Sequence, residues 1–304
     1  MFVPAAHRLA VGSDDMNRYE KALSLLPAAM ADAAGRRGQA GVEEIRLRLG
    51  RRPSVLRRGR EEKLDCPVIG AGDLERILEK ASGASYHMAA AMLADGYLNW
   101  EGLRIGVCGT VSLQNGSYHS FRSFRSLAVR IPRECQGICE GLMRSIYAEC
   151  FESSLILSPP GGGKTTALRE LSRCLSNRGY RLALVDERNE LLAADSKGTG
   201  FDLGECSDVL SGMPKAEGAM MLLRAMNPQI LAMDEITRPQ DLEAIAQAAG
   251  CGVQLLATAH GSGLSDLQRR PLYRELLGLG VFQYVIEIRG SGEMRQYRAE
   301  RIGA

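Results

Sequence analysis

From about Cys135 onward, apolar residues bunch into short runs. "SSLILS" (153–158), "RLALVDE" (181–187), "QILAMDE" (229–235) and "VQLLATAH" (253–260) are nearly continuous. Such runs suit strands covered on both faces of a parallel sheet, with helices between them. The end, "FQYVIEIRGSGEMRQYRAERI" (282–302), reads as a closing hairpin. Before residue 133 the pattern differs. "EEIRLRLGRRPSVLRRGREEKL" (43–64) alternates like a strand, turns at Gly50–Pro53 and returns as a second strand. "AGDLERILEKASGASYHMAAAMLADGYL" (71–98) reads as a helix, a break at Gly83, and a second helix. "GLRIGVCGTVSLQNGSYHSFRSFRSLAVRIP" (102–132) alternates around Asn115-Gly116, a strong hairpin signal. The pattern predicts two domains: a smaller N-terminal α+β domain over 1–133, and an α/β domain with a parallel-sheet core over 134–304.

The 304 residues are 45% hydrophobic and 24% charged, the composition of a globular chain with real cores. A net charge of +2 gives no global case for nucleic acid or an anionic membrane, and aromatics at 5% argue against a base-stacking platform. No nucleic-acid partner is expected. No run of 18 apolar residues is present, and "MFVPAAHRLAVGSDD" lacks the pattern of a secretory signal. The eight cysteines include no Cys-x-x-Cys pair. Cys135 and Cys139 stand four apart without a second ligand pair nearby, so buried free thiols in a reducing cytoplasm are expected.

The chemistry concentrates where the first of the later strands ends, at "LILSPPGGGKTTALREL" (155–171). A strand that runs into Pro160, Gly161, Gly162 and Gly163 and restarts as a helix at Lys164 builds a loop of backbone N–H groups for phosphates. Lys164 would reach the β- and γ-phosphates, the Thr165 hydroxyl would hold Mg²⁺, and Thr166 would lie near the α-phosphate. This is the Walker A pattern with one departure: Ser158 stands in place of the first glycine. "NPQILAMDEI" (227–236) ends a buried strand in two acids at the same sheet edge. Asp234 would hold the Mg²⁺ shell, and Glu235 would polarise the attacking water, as a Walker B pair. "LLATAHG" (255–261) ends a further strand in Thr258 and His260, placed to sense the γ-phosphate. "LALVDERNEL" (182–191) ends another in Asp186, Glu187 and Arg188, with Glu190 beyond. Glu187 could tune Mg²⁺ or the water, and Arg188 could support a neighbour. Together these signals predict a P-loop NTPase core of the RecA/AAA+ kind that binds ATP and Mg²⁺.

"LLRAMNPQILAMDEITRPQDLEAIAQAAGCGVQLLATAHG" resembles the secretion and type IV pilus ATPases. In them an arginine-bearing helix precedes a proline, the Walker B strand, an alanine-rich helix and a histidine box, and Arg224, Pro228, Glu235 and His260 fall on those positions. "VDERNEL" resembles their acidic box, with Asp186, Glu187 and Glu190 on its acids. Asp234 departs from the glycine usual before the Walker B glutamate. Over roughly residues 40–300 the chain more closely resembles the stage III sporulation protein AA family, through "EEIRLRLGRRP", "GYLNWEGLRIGVCGT", "SLAVRIPRE", "SPPGGGKTTALREL", "DVLSGMPKAEGAMMLLRAMNPQ" and "MDEITRPQD".

That resemblance implies a cytoplasmic mother-cell ATPase of an endospore former. It would work at the membrane through partners, the membrane proteins of a channel-like complex linking mother cell and forespore. It also implies a hexameric ring, with arginines of the N-terminal domain over phosphates at subunit boundaries. Arg104 and Arg130 fall on corresponding strands, with Arg122 and Arg125 between them. An added guanidinium can speed phosphoryl transfer by about 10³ to 10⁵. Two other readings fit the same core. One is a nucleic-acid-dependent ATPase or single-strand binder, against which "RLRLGRRPSVLRRGR" carries no aromatic. The other is a nucleotide-gated assembly factor with little turnover, against which Glu235 speaks.

Overall fold

The structure is a computed structural model and describes residues 3–4, 13–83, 93–133, 137, 139–147, 149–290 and 295–302. The chain divides into two compact units. One comprises Val11–Glu134 and Ala193–Gly200, the other Met1–Ala10, Cys135–Leu192 and Phe201–Ala304. Relative to a single cut at 133/134, the segment 193–200 joins the N-terminal unit, and the first ten residues join the C-terminal one.

The N-terminal unit holds helices α1 (Ser13–Leu25), α2 (Ala28–Arg37) and α3 (Ala71–Ala81). Its sheet is antiparallel, in the order β4-β3-β2-β7-β6-β5. The strands are β2 (Val42–Arg48), β3 (Ser54–Arg57), β4 (Arg60–Lys63), β5 (Tyr97–Trp100), β6 (Leu103–Gln114) and β7 (Ser117–Arg130). One face is packed: Ile45 and Leu47 of β2, Ile105 of β6 and Val129 of β7 share a buried cluster with Leu74 and Ile77 of α3. Asn115 and Gly116 both take positive φ, as a two-residue turn that follows the strand twist requires. A second such turn divides the expected strand over 54–64. Arg58 (φ 49°) and Gly59 (φ 76°) reverse the chain between β3 and β4. Arginine there carries no turn signal of its own, which is why the pattern read as one strand. The helix expected after Gly83 lies mostly outside the described residues, as does Cys135.

In the C-terminal unit an eight-stranded sheet runs β1-β14-β13-β8-β12-β11-β9-β10. Its strands are β1 (Val3–Pro4), β8 (Ser154–Ser158), β9 (Leu182–Asp186), β10 (Ser207–Ser211), β11 (Ile230–Met233), β12 (Gln254–His260), β13 (Tyr284–Arg289) and β14 (Gln296–Arg301). From β13 to β10 all neighbours are parallel; β14 and β1 add an antiparallel edge. The fold is α/β, with a mixed rather than purely parallel sheet. The short strands β1 and β10 carry little apolar bias and were not legible in the pattern.

Alternation along the buried strands serves both faces. Ile156, Leu184 and Leu256 pack with Leu168, Leu171 and Leu175 of α5 (Lys164–Ser176), beside α4 (Cys139–Ile146). Leu155, Val185 and Met233 pack on the other side, with Leu222 of α6 (Lys215–Ala225) and Ile245 of α7 (Pro239–Gly250). Helices α8 (Leu264–Arg269) and α9 (Pro271–Gly278) complete that layer, through Leu267 and Tyr273. The registers Ser158↔His260 and Met233↔Ala257 bring the carboxyl ends of β8, β12 and β11 to one edge. Among the described thiols the expectation of burial fails: Cys108, Cys150, Cys206 and Cys251 are exposed, and Cys66 and Cys174 are partly covered.

Candidate functional site

At that edge β8 ends in Ser158 and hands over to α5 through Pro159–Gly163. Gly161 and Gly163 have φ of 72° and 100°, in the left-handed region that favours glycine. Gly162 meets a different demand. A Cβ there would lie 2.3 Å from Ser158 Oγ and 2.7 Å from Ser158 Cβ. The serine that replaces the usual first glycine is buried under the loop, and its hydroxyl donates to the Pro159 carbonyl at 2.9 Å. The loop closes with Gly162 N–H donating to the Pro159 carbonyl at 3.1 Å.

Lys164, only 7% exposed, points its Nζ at two acceptors: His260 Nδ1 at 2.9 Å and the Ser158 carbonyl at 3.4 Å. Burial lowers its pKa, against the opposing pull of Asp234 and Glu235. Thr165 donates from Oγ1 to Asp234 Oδ2 at 2.8 Å, and Thr258 donates to Asp234 Oδ1 at 2.6 Å. Glu235 follows β11 in the left-handed region, φ 57°. Its N–H donates to Thr258 Oγ1 at 2.8 Å, fixing this unusual backbone. The side chain bonds His260 Nε2 through Oε1 and accepts from Arg188 Nη1 at 2.6 Å through Oε2. Burial would raise the Glu235 carboxyl. The bond to His260, with the charges of Arg188 and Lys164, outweighs it and holds the pKa below the ordinary value.

The structure thus brings together Lys164, Thr165, Asp234, Glu235, Thr258 and His260, with Arg188 beside them. Pro160 and Gly161 are exposed on the loop, and Thr166 is partly covered on the first turn of α5. The acidic strand end behaves differently. Asp186 is buried and accepts N–H bonds from Glu190, Leu191 and Leu192 at 2.8, 3.0 and 2.9 Å, so it pins its own loop. Burial raises its pKa, against the N–H bonds of Leu192 and Leu191. Glu187 is paired with Lys215, and with Arg238 at 3.5 Å, rather than facing Asp234. Sequence reasoning missed Lys215 and Arg238; the sequence shows only a lysine directly after Pro214 at a helix start, and its burial emerges from the fold. Arg224 is exposed on α6.

Arg104 and Arg130 belong to the N-terminal unit, where they sit opposite each other on β6 and β7. Arg104 stacks over the Tyr97 ring at 3.9 Å, and Arg130 approaches Glu44 at 3.6 Å. Arg122 and Arg125 are exposed.

A lysine, a hydroxyl and paired acids around a glycine loop offer the donors and charges that a phosphorylated ligand would need. Asp234 and Thr165 present only oxygen donors, the chemistry that suits magnesium. Among the described residues no group of three or more His, Cys, Asp or Glu could cage a metal alone.

The sequence profile described as "Sporulation stage III, protein AA" matches residues 18–299. The chain belongs to that family. Stage III sporulation protein AA of Bacillus subtilis (strain 168) is 35% identical over 265 residues, covering 84% of this chain and 86% of that protein. The uncharacterized protein ycf45 of Porphyra purpurea is 29% identical over 278 residues, and the match spans 45% of its length. Among solved structures, the Legionella pneumophila ATPase DotB superposes with a TM-score of 0.59 at 17% identity, over 90% of this chain and 80% of that one. The pilus retraction motor PilT with bound ADP gives the same score and identity, over 90% and 82%. At such identity these likenesses show the fold: this member of the sporulation stage III protein AA family has the P-loop architecture of secretion and pilus ATPases.

Proposed function

We propose that this chain is a P-loop ATPase that energises a membrane-associated sporulation complex. The observation that carries the reading is the convergence of Lys164, Thr165, Asp234, Glu235 and His260 on one sheet edge beside a glycine loop. The backbone N–H groups of 161–165 and the start of α5 cradle the phosphates. Lys164 leaves His260 to hold the terminal phosphates. Thr165 and Asp234 are the residues that would hold Mg²⁺. Magnesium, when bound, neutralises charge that develops on the phosphoryl oxygens. Glu235, with its pKa held low, stays ionised and accepts from the attacking water.

The name of the Bacillus relative supports the sporulation setting, and the motor described for PilT supports coupling of hydrolysis to movement. On this reading residues 134–304 form the ATPase domain and the chain works as a ring, a hexamer. It is cytoplasmic and reaches the membrane through the proteins of a channel between mother cell and forespore. Arg104 and Arg130 reach the phosphates of a neighbouring subunit.

The test is nucleotide binding by calorimetry and phosphate release against protein concentration, with mass measured in parallel. Wild type should bind ATP and hydrolyse it faster as rings form. Lys164→Ala should lose binding. Glu235→Gln should bind but turn over about 10²- to 10⁴-fold more slowly. Undiminished binding by Lys164→Ala would remove the P-loop assignment, and a rate per subunit that ignores concentration would remove the ring.

A further inference from the structure

One arginine of the C-terminal hairpin meets the phosphate loop, and nothing in the motifs pointed to it. Arg295 precedes β14. A Cβ placed on Gly163 would lie 3.0 Å from Arg295 Cζ, 3.0 Å from its Nε and 3.3 Å from its Nη1. The guanidinium therefore lies directly against the backbone of the residue before Lys164. A side chain there would have to push the guanidinium back, and the φ of 100° at Gly163 itself favours glycine. The Arg295 Nε is buried and makes no hydrogen bond. A guanidinium is charged at any working pH, and a buried donor left without an acceptor is costly. Here the cost is compounded, because the first N–H groups of α5 already gather positive potential at the same place. An anion arriving at the loop would relieve both at once.

Resting on the ATPase reading above, we infer that Arg295 is a phosphate-binding residue, clamping the α- and β-phosphates of the nucleotide from the strand side of the loop. The loop backbone at Gly163 belongs to the part of a P-loop that cradles those two phosphates, whereas Lys164 serves the β- and γ-phosphates. The planar fork of arginine matches two phosphoryl oxygens, and Nε is one tine of it. A pocket of about 350 Å³ runs along the same loop, lined by Pro160, Gly161, Ser262, Glu287 and Arg289, with the Glu287 carboxylate paired to Arg289 at 2.9 Å. Since the contact avoids the γ-phosphate, Arg295 serves affinity for ADP and ATP alike and does not distinguish them.

The experiment titrates magnesium-ADP and magnesium-ATP into the full chain by calorimetry, for wild type, Arg295→Gln, Arg295→Lys and Lys164→Ala. Each protein is also melted without nucleotide. Arg295→Gln should weaken both nucleotides about 10- to 100-fold, by a similar factor for each, and Arg295→Lys should fall between. Without nucleotide, Arg295→Gln should melt at or above the wild-type temperature, because an unmatched buried donor has gone. Wild-type affinity in Arg295→Gln overturns the inference. So does a melting temperature lowered without nucleotide in step with the affinity loss, the mark of an arginine that only holds the loop together. Failure of wild type itself to bind nucleotide sinks the ATPase reading instead. Binding by wild type, loss in Lys164→Ala and no change in Arg295→Gln sinks this inference alone.

Discussion

The Lys164 ammonium donates to Nδ1 of His260 at 2.9 Å. An ammonium has protons to give and no lone pair to accept with, so Nδ1 is the acceptor. The ring proton then sits on Nε2, which faces the Glu235 carboxylate. A chain of charge-assisted bonds runs Lys164–His260–Glu235–Arg188. A terminal phosphate that draws Lys164 away frees Nδ1 and so alters the ring that holds Glu235. His260→Ala should therefore bind ADP and ATP with little change, yet release phosphate about 10²-fold more slowly, since the residue that positions the water loses its anchor. Phosphate-release kinetics beside equilibrium binding check this, and turnover at the wild-type rate would take His260 out of the relay.

Ser158 and Gly162 form a matched pair. The buried serine hydroxyl and Cβ occupy the space that a methyl on Gly162 would enter. Gly162→Ala should open the loop and weaken nucleotide binding by at least about tenfold, the scale of one lost charged hydrogen bond. Ser158→Gly alone should be mild, because it restores the more usual residue. Combined with Gly162→Ala it should recover part of the loss, leaving the milder approach to the Pro159 carbonyl at 3.0 Å. Calorimetry on the four proteins gives the coupling directly. Simple additivity would show that the two residues do not share this space.

The buried strands and the residues at their carboxyl ends were legible because apolar runs and glycine punctuation are local signals, whereas their order in the sheet was not. Lys164 and Thr165 after β8, Asp234 after β11 and His260 at the end of β12 meet because three separate strand ends share one edge, and parallel topology dictates that edge. What was not legible depends on tertiary partners. Glu187 looks like its acidic neighbours in sequence, yet Lys215 and Arg238 neutralise it. Asp186 carries the same charge but spends it on three backbone N–H groups. Arg295 stands in a charged hairpin and gains meaning only from its approach to Gly163. The Arg58-Gly59 turn was hidden by an arginine in a conformation that asparagine usually marks.

Because Asp186 serves its own loop, its removal should act on stability before chemistry. Asp186→Ala leaves the N–H groups of Glu190, Leu191 and Leu192 without their carboxylate, in a place where burial leaves little water to replace it. The expected loss is about 2–4 kcal/mol, the upper range for a buried network broken on one side. Urea unfolding followed by circular dichroism measures it. A midpoint equal to wild type would mean that the loop finds other acceptors.

Lys164 should tie nucleotide binding to protons at alkaline pH. In the free protein, burial holds its pKa below the ordinary 10.5. Phosphates beside the ammonium favour the charged form and raise that value in the complex. Well below the lowered value the lysine is charged both free and bound, so binding moves no proton there. As pH rises through the lowered value, part of the free protein carries a neutral lysine and must take up a proton to bind. Affinity should therefore fall with rising pH in that window, with proton uptake growing in step. Calorimetry in buffers of different ionisation heat reads the uptake. Lys164→Arg, whose guanidinium keeps its charge throughout, should show none of it from this position. Equal uptake in wild type and Lys164→Arg would assign the proton to another group.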